Sequence, residues 1–392
     1  MQSKFIETLG YADVAQEKQI TPWEVQGELT DTDYQKVARE FGAKIIDPEL
    51  TEMIRSAAGE VHPYITNGTF FAHRDLDMLL SDYRSGKRFY LYTGRGPSGK
   101  MHLGHLIPFI FTKWLQDRFG ADLLIQITDD EKFLFRDLEM EDIRKYTEEN
   151  ILDILSLGFR PENTHIIVDS EQAGILYNQA IRVARHINVS LARDVFGFSD
   201  SDNVGKFFFT SMQAVPAFLI PALTGRDERC LIPYAIDQDP HFLVARDVLP
   251  KIGYRKPSSI ISKFMPALKG SGKMSSSDPN SGIYLDDDPK TVRKKMMKYA
   301  FSGGRATAEE QRKFGAVPEI DFAYNIYKLL EPDQGKVRKV YEEYRRGALL
   351  SGEMKQIATD KINEFLEELR ARREEVRSEV DAYRFSIDKV MR

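Results

Sequence analysis

One stretch constrains this chain more than any other: Tyr90-Leu91-Tyr92-Thr93-Gly94-Arg95-Gly96-Pro97-Ser98-Gly99-Lys100-Met101-His102-Leu103-Gly104-His105. Phe89 to Thr93 reads as a short buried strand and the glycine- and proline-bearing residues after it as a loop. Leu106 onward, with Leu106, Ile107, Phe109, Ile110, Trp114 and Leu115, reads as an apolar-faced helix. A strand, a glycine loop and a helix in that order point the first N–H groups of the helix at whatever sits above the strand, and an anion is the natural guest. Pro108 is expected in the first turn, where a missing N–H costs nothing. His102 and His105 should share one face, and Gly104 leaves room for a flat group against the main chain. Alone, a His-x-x-His reads as a helix cap. Behind a glycine loop that lacks a Walker-type Gly-Lys-Ser/Thr ending, it reads as a nucleotide site.

The rest of the chain supplies the sheet that such a junction needs. Asp122 to Thr128, His165 to Asp169 and Leu231 to Ile236 read as strands, alternating with helices at Asp75 to Tyr83, Met140 to Leu157 and Glu171 to Ile187. That rhythm predicts a Rossmann-like, doubly wound parallel sheet in an α/β fold, interrupted by a connecting insertion at about 190–228. After Asp286-Asp287-Asp288-Pro289 the chain becomes helix-rich and charged. We therefore expect an extension over 1–70 packed near the active site and a catalytic domain over 71–288. A helical domain follows over 289–392, with the last residues returning to the catalytic domain. Its long helix is expected over Asp360 to Tyr383, with Ile362, Phe365, Leu366, Leu369, Val376 and Val380 on the packed face. A formal net charge of −5 excludes a generally basic nucleic-acid coat, so RNA contacts must come from local clusters. The single cysteine, Cys230, excludes an internal disulfide and a cysteine-cluster metal site and suits a cytoplasmic protein. No apolar run reaches membrane-spanning length.

In an open parallel sheet, ligands sit beyond the carboxyl ends of the strands, where strand order reverses. Three polar clusters follow predicted strands: the glycine loop, Asp129-Asp130-Glu131 and Asp237-Gln238-Asp239. Asp129 and Asp239 are expected to cap the helices behind them, which leaves Glu131 and Gln238 to hold an ammonium or a ribose hydroxyl. A second motif, Lys269-Gly270-Ser271-Gly272-Lys273-Met274-Ser275-Ser276-Ser277, is glycine- and serine-rich and centres a point charge on Lys273.

With His102-Leu103-Gly104-His105 and Lys273-Met274-Ser275-Ser276-Ser277 both in view, the chain resembles the class I aminoacyl-tRNA synthetases, whose two signatures have the form HIGH and KMSKS. Ser276 stands where the later lysine would be. Longer strings are most similar to the archaeal and eukaryotic tryptophanyl branch. They are Leu91 to Ser98, Ile125 to Lys132, Phe196 to Asp202, Ala235 to Pro240 and Phe301-Ser302-Gly303-Gly304-Arg305, with Thr21-Pro22-Trp23 folding over the active site. The resemblance implies attack of the tryptophan carboxylate on the α-phosphate of ATP, then transfer to tRNA(Trp). His102, His105, Lys273 and Ser275 would be catalytic. ATP would lie on Gly94, Arg95, Gly96, Pro97, His102, Gly104, His105, Lys273, Met274 and Ser275. Tyr92 and Gln126 would accept the indole N–H, and Glu131, Gln213 and Gln238 would hold the amino acid backbone. On the residues alone, Tyr92 reads first as an ordinary aromatic in a core strand.

The resemblance further implies magnesium accompanying ATP, with no protein metal site, and a homodimer through the insertion. It gives the helical domain the anticodon, with Arg305, Arg370 and Arg373 as tRNA contacts and Arg293, Lys294, Lys295 and Lys298 in support. The alternatives are a tyrosyl-tRNA synthetase, whose pocket must meet a phenol hydroxyl, and a nucleotidylyltransferase, which shares the His-x-Gly-His helix start.

Overall fold

The computed structural model describes residues 31–270, Met274 and 278–391. They form two compact units: one from residues up to Gly99, Pro108–Lys263 and Arg377 onward, the other from Lys100–Ile107 and Phe264–Val376.

The first unit is built on a seven-stranded sheet in the order β1-β2-β7-β6-β3-β4-β5. Its strands are β1 Lys44–Ile45, β2 Phe70–Arg74, β3 Phe89–Arg95, β4 Leu123–Ile127, β5 Thr164–Val168, β6 Arg229–Ala235 and β7 Ser258–Ser262. β7, β6, β3, β4 and β5 run parallel, as predicted. β1 and β2 add an antiparallel edge, which makes the sheet mixed rather than purely parallel. All residues of β2, β4, β5 and β7 are buried, the burial pattern of strands covered on both faces. The chain steps outward from β3 through β4 to β5 and then returns to β6 and β7 on the other side. The topological switch therefore lies between β3 and β6, where this architecture places its ligand.

The free edge of β5 is covered by the end of the chain. Arg384 forms a parallel bridge with Ile166, Phe385 N–H donates to the Ile166 carbonyl at 2.9 Å, and Lys389 Nζ reaches the Thr164 carbonyl at 2.7 Å. An unpaired row of strand groups is a template for association, and this segment covers it. The insertion folds as three short helices, Val189–Phe196, Val204–Met212 and Leu219–Thr224, the second packed on the helix Ala173–Ala184.

The second unit is helical. Its longest helix, Ser351–Val376, starts earlier and ends earlier than the sequence pattern indicated, since Val380–Tyr383 is a separate 3-10 turn. Met354, Ala358, Ile362, Leu366 and Leu369 face its interior, while Phe365 is only half-buried. Among the described residues no helix is long and apolar enough to cross a membrane.

Candidate active site

In the sheet unit, Tyr92 on β3 and Gln126 on β4 stand on neighbouring strands, offset by two positions in a register that pairs Tyr92 with Leu124. Tyr92 is 1% exposed and Gln126 is completely buried, so their polar ends must be satisfied internally. The Tyr92 hydroxyl donates to Gln126 Oε1 at 2.5 Å and accepts from Gln213 Nε2 at 2.6 Å. Gln213 Nε2 also lies 3.3 Å from Gln126 Oε1. Gln213 comes from the residue that ends the helix Val204–Met212, so the insertion delivers one side of this network. Gly94 permits it: a Cβ there would stand 2.8 Å from the Gln126 carbonyl oxygen, and β3 could not approach β4 so closely.

Sequence reasoning missed one member of this network. Asp169, immediately after β5, lies with both carboxyl oxygens 2.9 Å from Gln126 Nε2. Burial and the neighbouring Asp130 hold its carboxyl well above the ordinary carboxylate range. Asp130 is itself raised to about 6, chiefly by burial. The only sequence signal was its position at the carboxyl end of a predicted strand.

The expected caps are not made. Asp129 opens the helix Asp129–Phe135 after Thr128, which makes no side-chain cap. Its carboxylate instead accepts from the Ser170 backbone N–H at 3.0 Å and from the Ser170 hydroxyl at 2.5 Å, tying the end of β4 to the end of β5. Asp239 likewise leaves its helix uncapped and pairs with buried Arg74. Both positions sit at strand ends where a side chain can reach the next strand, and cross-linking wins over local capping.

Glu131 is buried and accepts from Thr128 Oγ1 at 2.8 Å and from Lys132 Nζ at 2.5 Å. A Cβ on Gly96 would fall 2.1 Å from Lys132 Cε and 2.5 Å from Glu131 Oε2, so the glycine loop lies directly on this pair. Arg95 donates from Nε to Asn150 Oδ1 at 3.2 Å, and Asn150 Nδ2 in turn holds the Gly99 carbonyl at 3.0 Å, fixing both ends of the loop. Arg95 Nη2 is buried without a partner among the described residues. Burial pushes this guanidinium down to about 10 against the pull of Glu131, an environment that rewards an incoming anion. Pro97 is buried in the same loop, and Gln238, after β6, is half-buried.

In the second unit His102 and His105 do share a face: their rings stack with centroids 3.4 Å apart and planes at 21°. The His102 backbone N–H donates to His105 Nδ1 at 3.2 Å, so in the neutral ring the proton resides on Nε2. The helix itself starts at Leu103, earlier than predicted, which places Pro108 inside it and not in the first turn. Leu103 N–H is already committed to the Ile283 carbonyl at 3.0 Å. The space above Gly104 is set by the His102 ring, whose Cε1 and Nδ1 would meet an added Cβ at 3.2 Å.

Lys273, Ser275 and the Thr21-Pro22-Trp23 string lie outside the described residues. Met274 is buried, and its sulfur would meet a Cβ on Gly282 at 2.9 Å. Gly270, at φ +84°, leaves no room for a side chain beside Phe301, whose N–H is bonded to the Leu268 carbonyl at 2.7 Å.

The expected tRNA residues divide. Arg305 is exposed, with Nε on the Gly315 carbonyl at 3.0 Å. Arg370 Nη2 is spent on the Asp287 carbonyl at 2.5 Å, a structural bond. Arg373 lies 3.9 Å from Glu374, with its side chain 19% exposed. Lys295 is buried, with Nζ 2.6 Å from Asp287 Oδ2 and 3.1 Å from the Gly282 carbonyl, and so it anchors the fold.

Comparison with known proteins agrees with this architecture. The family model for tRNA synthetases class I (W and Y) matches residues 84–367. The chain is 47% identical over 376 residues to the tryptophan–tRNA ligase of Sulfurisphaera tokodaii, covering 95% of this chain and 96% of that one. It is 44% identical to the cytoplasmic tryptophan–tRNA ligase of Saccharomyces cerevisiae, covering 93% of this chain and 88% of the yeast protein. The crystal structure of Plasmodium falciparum tryptophanyl-tRNA synthetase superposes with a TM-score of 0.86 at 40% identity, over 91% of this chain and 98% of that one.

Proposed function

The chain belongs to the class I tRNA synthetases of the tryptophan and tyrosine group, and from that premise we propose that it activates L-tryptophan with ATP and transfers the tryptophanyl group to tRNA(Trp). The observation that carries the choice of tryptophan is the network of Tyr92, Gln126 and Gln213. An indole N–H only donates, so its pocket needs acceptors, and the Tyr92 oxygen and Gln126 Oε1 are turned toward one another as such. A pocket built for a phenol hydroxyl would need a carboxylate in reach of the ring, and here the nearby Asp169 is engaged by Gln126 Nε2.

In this reading Glu131, Gln213 and Gln238 hold the amino acid backbone. Arg95, with a buried nitrogen unsatisfied among the described residues, takes a phosphate oxygen of ATP, and the loop through Gly94, Gly96 and Pro97 lies against the nucleotide. His102 and His105 serve from the helix start, His105 as a neutral donor through Nε2. The amino acid's carboxylate attacks the α-phosphorus and pyrophosphate leaves, so no general base is required. Electrostatic clamping of the growing charge supplies most of the rate, with Lys273 and Ser275 acting on the leaving group. Magnesium enters with the triphosphate. There it would neutralise charge on the phosphates as the carboxylate attacks.

The helical unit engages the tRNA. A homodimer forms through the face bearing Tyr177, Ile181, Val189 and Val204, which are 54%, 44%, 55% and 85% exposed. That the yeast relative is the cytoplasmic enzyme supports a cytoplasmic location. Pyrophosphate exchange with each of the twenty amino acids tests the reading: tryptophan should stand alone, and a stronger signal with tyrosine would sink it.

A further inference from the structure

We propose that Asp169 is a specificity-determining positioning residue, which acts through Gln126 to keep an acceptor, and not a donor, facing the amino acid's ring. The inference rests on the reading of Tyr92 and Gln126 as the groups that meet the indole N–H.

A glutamine amide has nearly the same shape when flipped by 180°, but it then exchanges an acceptor for a donor. What fixes the orientation must therefore be chemistry. Asp169 places both carboxyl oxygens 2.9 Å from Gln126 Nε2, and an amide nitrogen can only donate to them. Oε1 is thereby turned to the Tyr92 hydroxyl at 2.5 Å and Gln213 Nε2 at 3.3 Å. In the flipped amide, carbonyl oxygen would face carboxyl oxygen at one end, and NH2 would face the NH2 of Gln213 at the other.

Asp169 is itself rigidly placed. It is 1% exposed, its backbone N–H is bonded to the Ile127 carbonyl at 3.1 Å, and its neighbour Ser170 is held twice by Asp129. Burial and the neighbouring Asp130 hold the Asp169 carboxyl well above the ordinary carboxylate range, which favours its neutral form. A neutral acid can be buried beneath the pocket without a counter-ion, and its oxygens still accept from the amide. Asp129 and Asp130, on the helix after β4, thus position an acid at the end of β5, and that acid orients an amide on β4.

The test compares kcat/KM for adenylate formation with tryptophan and with 3-(benzothiophen-3-yl)alanine, in which sulfur replaces the ring N–H. Wild type should prefer tryptophan by about a hundredfold. Asp169→Leu, similar in size but without an acceptor, should narrow that ratio by about tenfold or more while leaving the KM for ATP unchanged. Asp169→Thr, whose hydroxyl donates as readily as it accepts, is the second variant and should move the ratio in the same direction. Asp169→Asn, which keeps the shape and one carbonyl acceptor but sets an NH2 beside the amide nitrogen, should narrow the ratio less than Asp169→Leu does. In a Gln126→Leu background, Asp169→Leu should change the ratio no further.

An unchanged ratio in Asp169→Leu and Asp169→Thr, with a collapsed ratio in Gln126→Leu, overturns this proposal and leaves the pocket reading intact. An equal loss with both amino acids, or an Asp169→Asn enzyme as unselective as Asp169→Leu, also overturns it. An unchanged ratio in Gln126→Leu itself removes the pocket reading on which the proposal stands.

Discussion

Replacing Arg74 by methionine should destabilise the sheet unit severely, because it leaves a charge stranded in the interior. Arg74 closes β2 and its side chain is 4% exposed, while that of Asp239, which opens the helix after β6, is 1% exposed. The guanidinium donates from Nη2 to Oδ2 at 2.5 Å and from Nε to Oδ1 at 3.3 Å, and Nη1 holds the Phe41 carbonyl at 2.8 Å. The Tyr234 hydroxyl completes the set at 2.7 Å from Asp239 Oδ1. In Arg74→Met the Asp239 carboxylate retains only that hydroxyl, and the Phe41 carbonyl loses its donor. Breaking one side of a buried pair costs about 3–5 kcal/mol, most of it the desolvation of the abandoned charge. The double change Arg74→Met with Asp239→Leu should cost less than Arg74→Met alone, since no charge remains to be stranded. Urea unfolding followed by Trp114 fluorescence, which reports from the same unit, measures both. A loss below about 1 kcal/mol in Arg74→Met, or a double variant no more stable than Arg74→Met alone, would refute the reasoning.

Three further outcomes follow from particular residues. Burial pushes the His62 imidazole down to about 4 against the pull of Glu60, whereas the unfolded chain titrates near its ordinary value of about 6.5. Between those values only the unfolded state takes the proton, so stability present above pH ~6.5 should be lost as pH falls toward ~4, by about 3 kcal/mol in all. His62→Asn, which keeps an acceptor for the Tyr64 N–H, should flatten the urea-midpoint profile across that window; an unchanged slope would assign it to other groups. Lys273→Ala should slow adenylate formation by about a hundredfold or more while leaving tryptophan affinity nearly intact, because its charge acts on the leaving group. Equal losses in single-turnover rate and equilibrium binding would make it a binding residue only. Neutralising Arg305 and Arg373 together should spare pyrophosphate exchange, lower tRNA charging and flatten the salt dependence of tRNA affinity by about 1.5–2 in log–log slope. An unchanged slope would leave both as surface arginines.

The parts of the fold that could be read in the sequence were those with a regular period. The parallel strands β3 to β6 and the helices between them carry continuous apolar runs bounded by turns, and they fall within a few residues of expectation. β2 and β7 did not stand out, because Phe70–Arg74 contains His73 and Arg74 and Ser258–Ser262 is mostly serine. Their pairing is tertiary, and Arg74 belongs in a strand only because Asp239 meets it there. Tyr92 and Gln126 could be proposed from motif strings and Gln213 from the family resemblance, but the support beneath them could not. Asp169 sits 43 residues from Gln126, and nothing local distinguishes it from a capping aspartate. The same long-range reach redirected Asp129, which local pattern made a cap, to Ser170, and Arg370, which the resemblance gave to tRNA, to Asp287.

The central claim is that tryptophan is chosen because its ring nitrogen meets acceptors fixed in advance. The crystal structure of the tryptophan complex tests it most directly. The account predicts the indole nitrogen within about 3 Å of the Tyr92 oxygen or Gln126 Oε1, with Gln126 Nε2 still on Asp169. An indole nitrogen turned to apolar side chains, with Tyr92 and Gln126 bonded only to each other, would contradict it.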